Sequence, residues 1–166
     1  MKKTPKSLGR QPDRESVWDY PRPPRLEPVT ERLRVESGGV TLAETVNGYR
    51  LLETSHPPVY YFPPEGVAVG RLRQGAGRSW CEWKGRATYW SAIAGDQLHE
   101  NVAWSYLDPA PGYQTIAAYY AFYASRVDAC WVGDERVQPQ SGDFYGGWVT
   151  RRLLGPFKGG PGTQGW

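Results

Sequence analysis

Residues 79–106 read SWCEWKGRATYWSAIAGDQLHENVAWSY, and the way this stretch alternates decides the fold class. In an extended chain successive side chains point to opposite faces. Cys81, Trp83, Ala87 and Tyr89 then share one face with Gly85, while Glu82, Lys84, Arg86 and Thr88 share the other. The first set is a core face and the second a charged stripe, so residues 79–93 read as one long strand. Gly85 in its middle marks a bulge or a close approach by another backbone or a ligand, and a bulge would exchange the faces beyond it. Gly95-Asp96 is a turn signal, and QLHENVAWSY (97–106) returns as the partner strand.

The same period of two runs outward in both directions. RLRVESGGVTLAET (32–45) reads as strand, Gly38-Gly39 turn, strand, and GYRLLE (48–53) as a further strand. SHPPVYYFPP (55–64) is extended and bracketed by prolines, and GVAVGRLR (66–73) is a short strand. After the loop LDPAPG (107–112), YQTIAAYY (113–120) is the one plausible helix. AFYAS and RVDACWVGDERV return to strands, and DFYGGWVT leads into a glycine-rich C-terminal stretch. Twenty glycines, fifteen prolines and 14 % aromatics favour many short strands and tight turns over a helical bundle. The expectation is a single, mainly antiparallel β domain of about eight or more strands with one short helix.

Residues 1–26 read as a basic, proline-rich extended arm, and residues 27–166 as the β domain. The arm holds seven Lys/Arg against three Asp/Glu, so the remaining residues sum to −1 although the whole chain carries +3. A domain so close to neutrality has no charge reason to bind nucleic acid, whose backbone demands several neutralising cations. YPRPPRLEP (20–28) suits polyproline geometry, and Trp18 and Tyr20 give that half of the arm something to bury. No stretch is long and apolar enough to span a bilayer, and the basic N-terminus is followed by no apolar run of a secretory signal. Two cysteines, Cys81 and Cys130, and two histidines make neither a disulfide scaffold nor a metal site. The expected setting is a reducing cytoplasm, with no cofactor.

Candidate chemistry gathers on few residues. Beyond Lys6 the chain has fifteen arginines but only two lysines, Lys84 and Lys158, each followed by glycine. Lysine offers a compact ammonium that loses its proton when desolvated, as guanidinium does not, and the glycine lets a ligand come close. Glu82 sits two residues from Lys84. His56, held ahead of two prolines, suits general acid–base work, or ties its ring to a backbone carbonyl. His99, on an ordinary hairpin strand, is expected at the surface. Tyr60 and Tyr61 point oppositely, so at most one lines a pocket. Lys158 in GPFKGGPGTQGW (155–166) does not form a nucleoside-triphosphate loop, because there the lysine comes last before Ser/Thr and a helix follows. A glycine-rich clamp on a small anion is one reading of it, and a packed tail anchored by Phe157 and Trp166 the other. The tryptophans are read mostly as core, some as walls of a cage for a flat or cationic molecule.

Taken in order, ETSHPPVYYFP (53–63), CEWKGRATYW (81–90), VAWSY (102–106), FYASRVDA (122–129) and GPFKGGPGTQGW resemble the family called domain of unknown function 427, from about Leu33 to the C-terminus. Ala124 departs from the proline expected after the Phe-Tyr pair. The resemblance implies a β fold of the tent type, in which antiparallel sheets meet at an angle. Relatives of that fold often carry zinc on paired cysteines, which this sequence lacks. A nucleotidyltransferase-like label goes with the family, but the Gly-Ser turn and Asp-x-Asp pair such enzymes need are both missing. By analogy with other tent folds, an aromatic cage for a small cyclic ligand and a thiol-based redox enzyme are the two options.

These readings converge on a small-molecule-binding β domain. Lys84, Glu82 and His56 are the catalytic candidates, and Tyr61, Trp83, Tyr89, Trp104 and Lys158 the ligand-binding ones. Its partner would be a small-molecule ligand. The alternative is a non-enzymatic assembly protein that forms a homodimer through its N-terminal arm.

Overall fold

The structure, a computed structural model, describes residues 14–81, 85–142 and 144–166. Among them lie fifteen strands, and every helical segment is a single 3-10 turn of three residues. The architecture is mainly β, built from several antiparallel sheets that do not close into a barrel.

β1 (Glu15–Ser16) and β2 (Arg25–Val29) precede the hairpin of β3 (Leu33–Ser37) and β4 (Val40–Thr45). β5 (Gly48–Leu52) and β6 (Val59–Tyr61) follow, then the long strands β7 (Leu72–Cys81), β8 (Gly85–Ala94) and β9 (Gln97–Ser105). The remainder are short: β10 (Tyr120–Phe122), β11 (Ala129–Val132), β12 (Glu135–Arg136), β13 (Gln138–Pro139), β14 (Trp148–Val149) and β15 (Leu153–Leu154). One four-stranded sheet runs β10-β9-β8-β7, another β12-β11-β3-β4, and a three-stranded sheet β2-β5-β6. Two-stranded ribbons, β13-β14 and the parallel pair β1-β15, complete the set.

Alternation builds these sheets as expected. In β3, Leu33, Val35 and Ser37 are fully buried while Arg34 and Glu36 reach toward solvent. The turn that follows needs glycine for two reasons: Gly38 and Gly39 adopt φ of +58° and +75°. A Cβ on Gly38 would also lie 2.8 Å from the Ala94 carbonyl, because this hairpin tip packs on that of β8–β9.

Three expectations are revised. Residues 79–93 are not one strand: Cys81 pairs with Gly85, so the chain reverses between β7 and β8. Glu82, Trp83 and Lys84 lie outside the described residues. Gly85 therefore opens a strand, and the bulges fall elsewhere, between Gln74 and Arg78 in β7 and opposite Ser91 in β9. The stretch 113–120 makes one 3-10 turn (Gln114–Ile116) and no helix, since Ala118 takes φ +64° and gives its N–H to the Tyr106 carbonyl at 2.9 Å. His99 is half-buried, with Nε2 enclosed and lacking a hydrogen-bond partner among the described residues.

Two main cores lie on opposite sides of β6. Tyr60 stacks on Trp148 (5.1 Å) in a core with Phe62, Phe122, Leu33, Val35 and Cys130. Tyr61 enters the other, an aromatic cluster with Trp104, Tyr106, Tyr113 and Tyr123. Opposite pointing thus holds, yet both tyrosines are buried. Burial pushes the Cys130 thiol well up, leaving it a small hydrophobe and not a nucleophile.

A third, small core docks residues 14–20 onto the domain through Val17, Tyr20, Leu52 and Leu153. Around it Arg50, 5 % exposed, gives hydrogen bonds to Glu27 (Nε–Oε1 2.6 Å) and Glu15 (NH1–Oε2 2.9 Å). Arg152 adds a bond to Glu15 at 3.0 Å, and the Tyr20 hydroxyl another. Burial alone would raise the Glu15 pKa. Hydrogen bonds from Arg50 and Tyr20, with the charges of Arg50 and Arg152, outweigh it and hold the carboxyl below its usual range.

Candidate functional site

His56 is presented by a turn under constraint. β5 ends at Leu52, and Ser55 then takes φ +71°, a left-handed conformation that costs a non-glycine residue about 1–3 kcal/mol. Its N–H bonds to the Val17 carbonyl (3.0 Å), and the His56 N–H to that of Glu53 (3.0 Å). Pro57 and Pro58 are buried behind it, the latter accepting from the Trp148 N–H at 2.9 Å. The Ser55 hydroxyl is buried with no hydrogen-bond partner among the described residues. Strain and an orphaned polar atom beside a histidine are what functional sites tend to accumulate.

Lys158 comes to the same place from the far end of the chain. Its N–H bonds to the Ser55 carbonyl at 2.9 Å, which ties the C-terminal stretch to the His56 turn. Its ammonium lies 3.2 Å from the Trp166 carbonyl oxygen and 5.4 Å from the centre of the Tyr145 ring. His56 meets the same ring edge-on, with centres 5.1 Å apart. Gly159 has φ +130°, and a Cβ there would sit 2.0 Å from the Ser141 carbonyl oxygen, so this close passage admits only glycine.

Gln140, 4 % exposed, organises the centre. Its Nε2 donates to the Lys158 carbonyl (2.7 Å) and stands 3.5 Å from His56 Nδ1, while Oε1 accepts from the Gly147 N–H (3.1 Å). An amide hydrogen directed at Nδ1 favours the imidazole tautomer protonated at Nε2. That atom lies 3.9 Å from Glu53 Oε2. His56 is thus flanked by the Gln140 amide on one ring nitrogen and the Glu53 carboxylate near the other. Lys158 supplies a cation beside the same Tyr145 ring.

The sequence-derived candidates divide. His56 and Lys158 come together. Lys84, Glu82 and Trp83 lie outside the described residues. Tyr61 (0 % exposed), Trp104 (6 %) and the half-buried Tyr89 belong to the aromatic cluster. Gly146 and Gly147 pass between that cluster and the polar site. A Cβ on Gly146 would strike the Trp104 ring at 2.2 Å, and one on Gly147 would strike Gln140 Oε1 and the Pro57 carbonyl oxygen, both at 2.6 Å. His56 and Lys158 thus stand across two glycines from the cluster that holds Tyr61, Tyr89 and Trp104.

Sequence reasoning missed Gln140, Tyr145, Glu53 and Ser55. Glu53 carried a signal, a carboxylate three residues ahead of a histidine. Gln140 carried none, because its burial and three-way hydrogen bonding arise from contacts distant in sequence.

Residues 25–133 match the family model for a domain of unknown function (DUF427). The match takes in His56, Tyr61, Tyr89 and Trp104 and ends before Gln140, Tyr145 and Lys158. Among curated proteins, none matches the chain.

Proposed function

The chain belongs to the domain of unknown function 427 family, and from that premise we propose that it is a small-molecule-binding β domain whose polar site is the His56–Lys158 cluster. Lys158 is the counter-ion for an anionic or carbonyl group of the ligand. His56, with Glu53 behind it, exchanges a proton with that ligand in the catalytic version of this reading and only hydrogen-bonds to it in the binding version. The observation that carries the proposal is that the two residues meet on one ring and one amide, those of Tyr145 and Gln140. Lys84 and Glu82 remain part of the proposal on sequence grounds alone.

The test is a titration with acetate, pyruvate and inorganic phosphate, followed through backbone amide NMR signals. At least one of these anions is expected to move the signals of Ser55, His56, Gln140, Tyr145 and Gly159 saturably. Lys158→Gln is expected to abolish the response and Lys158→Arg to keep part of it, both with the wild-type fold. A site indifferent to every anion up to tens of millimolar, or an undiminished response in Lys158→Gln, ends this reading.

A further inference from the structure

We propose that a second, independent site lies in the open cleft between residues 23–26 and 110–115, and that it takes a flat aromatic carboxylate. The cleft has a volume of about 710 Å³, within the range of small-molecule pockets, and neither His56 nor Lys158 lines it. Its walls are the chain turns at Pro23-Pro24 and Pro111-Gly112, and Leu26, Tyr49 and Tyr113 line it from the aromatic cluster. The Tyr113 hydroxyl donates to the Pro24 carbonyl at 2.8 Å and fixes the two walls against each other. A site held open in this way loses little freedom when a ligand enters.

The lining selects the ligand. Proline and tyrosine surfaces are rigid and apolar, which suits a planar ring. Among the described residues Arg25 is the one charged residue of the lining, and no carboxylate accompanies it there. Its ion pair with Glu27, at 4.0 Å, is long and lies at an exposed surface, so it competes weakly for the guanidinium. A single planar fork of N–H donors matches a planar monoanion, whereas a phosphate dianion calls for more donors than one arginine supplies. Charge and shape agree on a ring that bears a carboxylate.

The test uses 2-naphthoate as probe, with 2-naphthamide as its neutral counterpart, on the full chain by NMR and calorimetry. The acid is expected to shift the amide signals of Arg25, Leu26, Gly112 and Tyr113 while those of Ser55, His56 and Gly159 stay in place. That separates the outcome from the fate of the His56–Lys158 site. Arg25→Gln is expected to weaken binding about tenfold or more, the loss of one charge-assisted pair. Thr115→Trp, at an exposed position on the rim, is expected to block it. No saturable shifts up to millimolar acid, shifts that map elsewhere, equal affinity for the amide, or unchanged binding by Thr115→Trp each overturn the proposal.

Discussion

Replacing Arg50 with methionine removes the hub of the charge network that fastens residues 14–27 to β5 and β15. The guanidinium is almost wholly enclosed and bonds two carboxylates, and Glu15 and Glu27 keep only 25 % and 34 % side-chain exposure. Breaking a buried pair by removing one partner costs about 3–5 kcal/mol. The partial exposure of both carboxylates lets water recover some of that, so about 3 kcal/mol at pH 7 is the expected loss. In Arg50→Met/Glu15→Gln/Glu27→Gln no charge is stranded at the centre, and the loss should fall to about 1 kcal/mol.

The pH dependence carries a definite sign. The folded-state pKa of Glu15 is depressed, so its contribution is fully present above the unfolded value and disappears as pH falls through the folded one. In Arg50→Met burial acts on Glu15 with its main partner gone, and protonation relieves the stranded charge. The gap between wild type and mutant should therefore narrow below about pH 4. Urea denaturation from pH 3 to 7 reads this directly through midpoints at constant slope. A gap under 1 kcal/mol at pH 7, or one that stays constant on acidification, refutes the reasoning.

Gly159→Ala should cost about 3 kcal/mol or more in thermal or urea unfolding, because the added methyl meets the Ser141 carbonyl in a backbone conformation alanine avoids. Gly146→Ala, pressing on the buried Trp104 ring, should cost about 1–3 kcal/mol in the same assay, with the aromatic cluster rearranged in near-UV circular dichroism. Ser55→Gly should raise stability by about 1 kcal/mol, since it relieves a left-handed serine and removes a buried hydroxyl that has no partner among the described residues; a drop would argue that the hydroxyl has another partner. Deleting residues 1–26 removes Val17 and Tyr20 from the third core and Glu15 from the charge network around it, so it should lower stability by roughly 4 kcal/mol. A truncated chain that melts like wild type and changes only its sedimentation would instead favour an arm exchanged between subunits.

What could be read in advance was local. The alternation of Leu33–Ser37 and the Gly38-Gly39 turn depend on side-chain period and on glycine's tolerance of positive φ, both properties of short segments. The reversal after Cys81 was hidden because Glu82, Trp83 and Lys84 carry no turn signature, and Gly85 fits a bulge as well as a strand start. YQTIAAYY reads as the one plausible helix, but the bond from Ala118 to the Tyr106 carbonyl is a contact the stretch itself does not encode. His56 and Lys158 were separately legible as unusual residues among prolines and glycines. Their meeting was not.

By itself the sequence determined a β architecture and nominated a histidine and a glycine-flanked lysine, since residue type and spacing constrain neighbours along a chain. Only the tertiary structure decided that these two share Tyr145 and Gln140. It also decided that Tyr61, Tyr89 and Trp104 lie across Gly146-Gly147 from them, and that a separate cleft opens at Arg25. Those facts depend on which distant segments are pressed together, and that is set by burial of the whole chain at once.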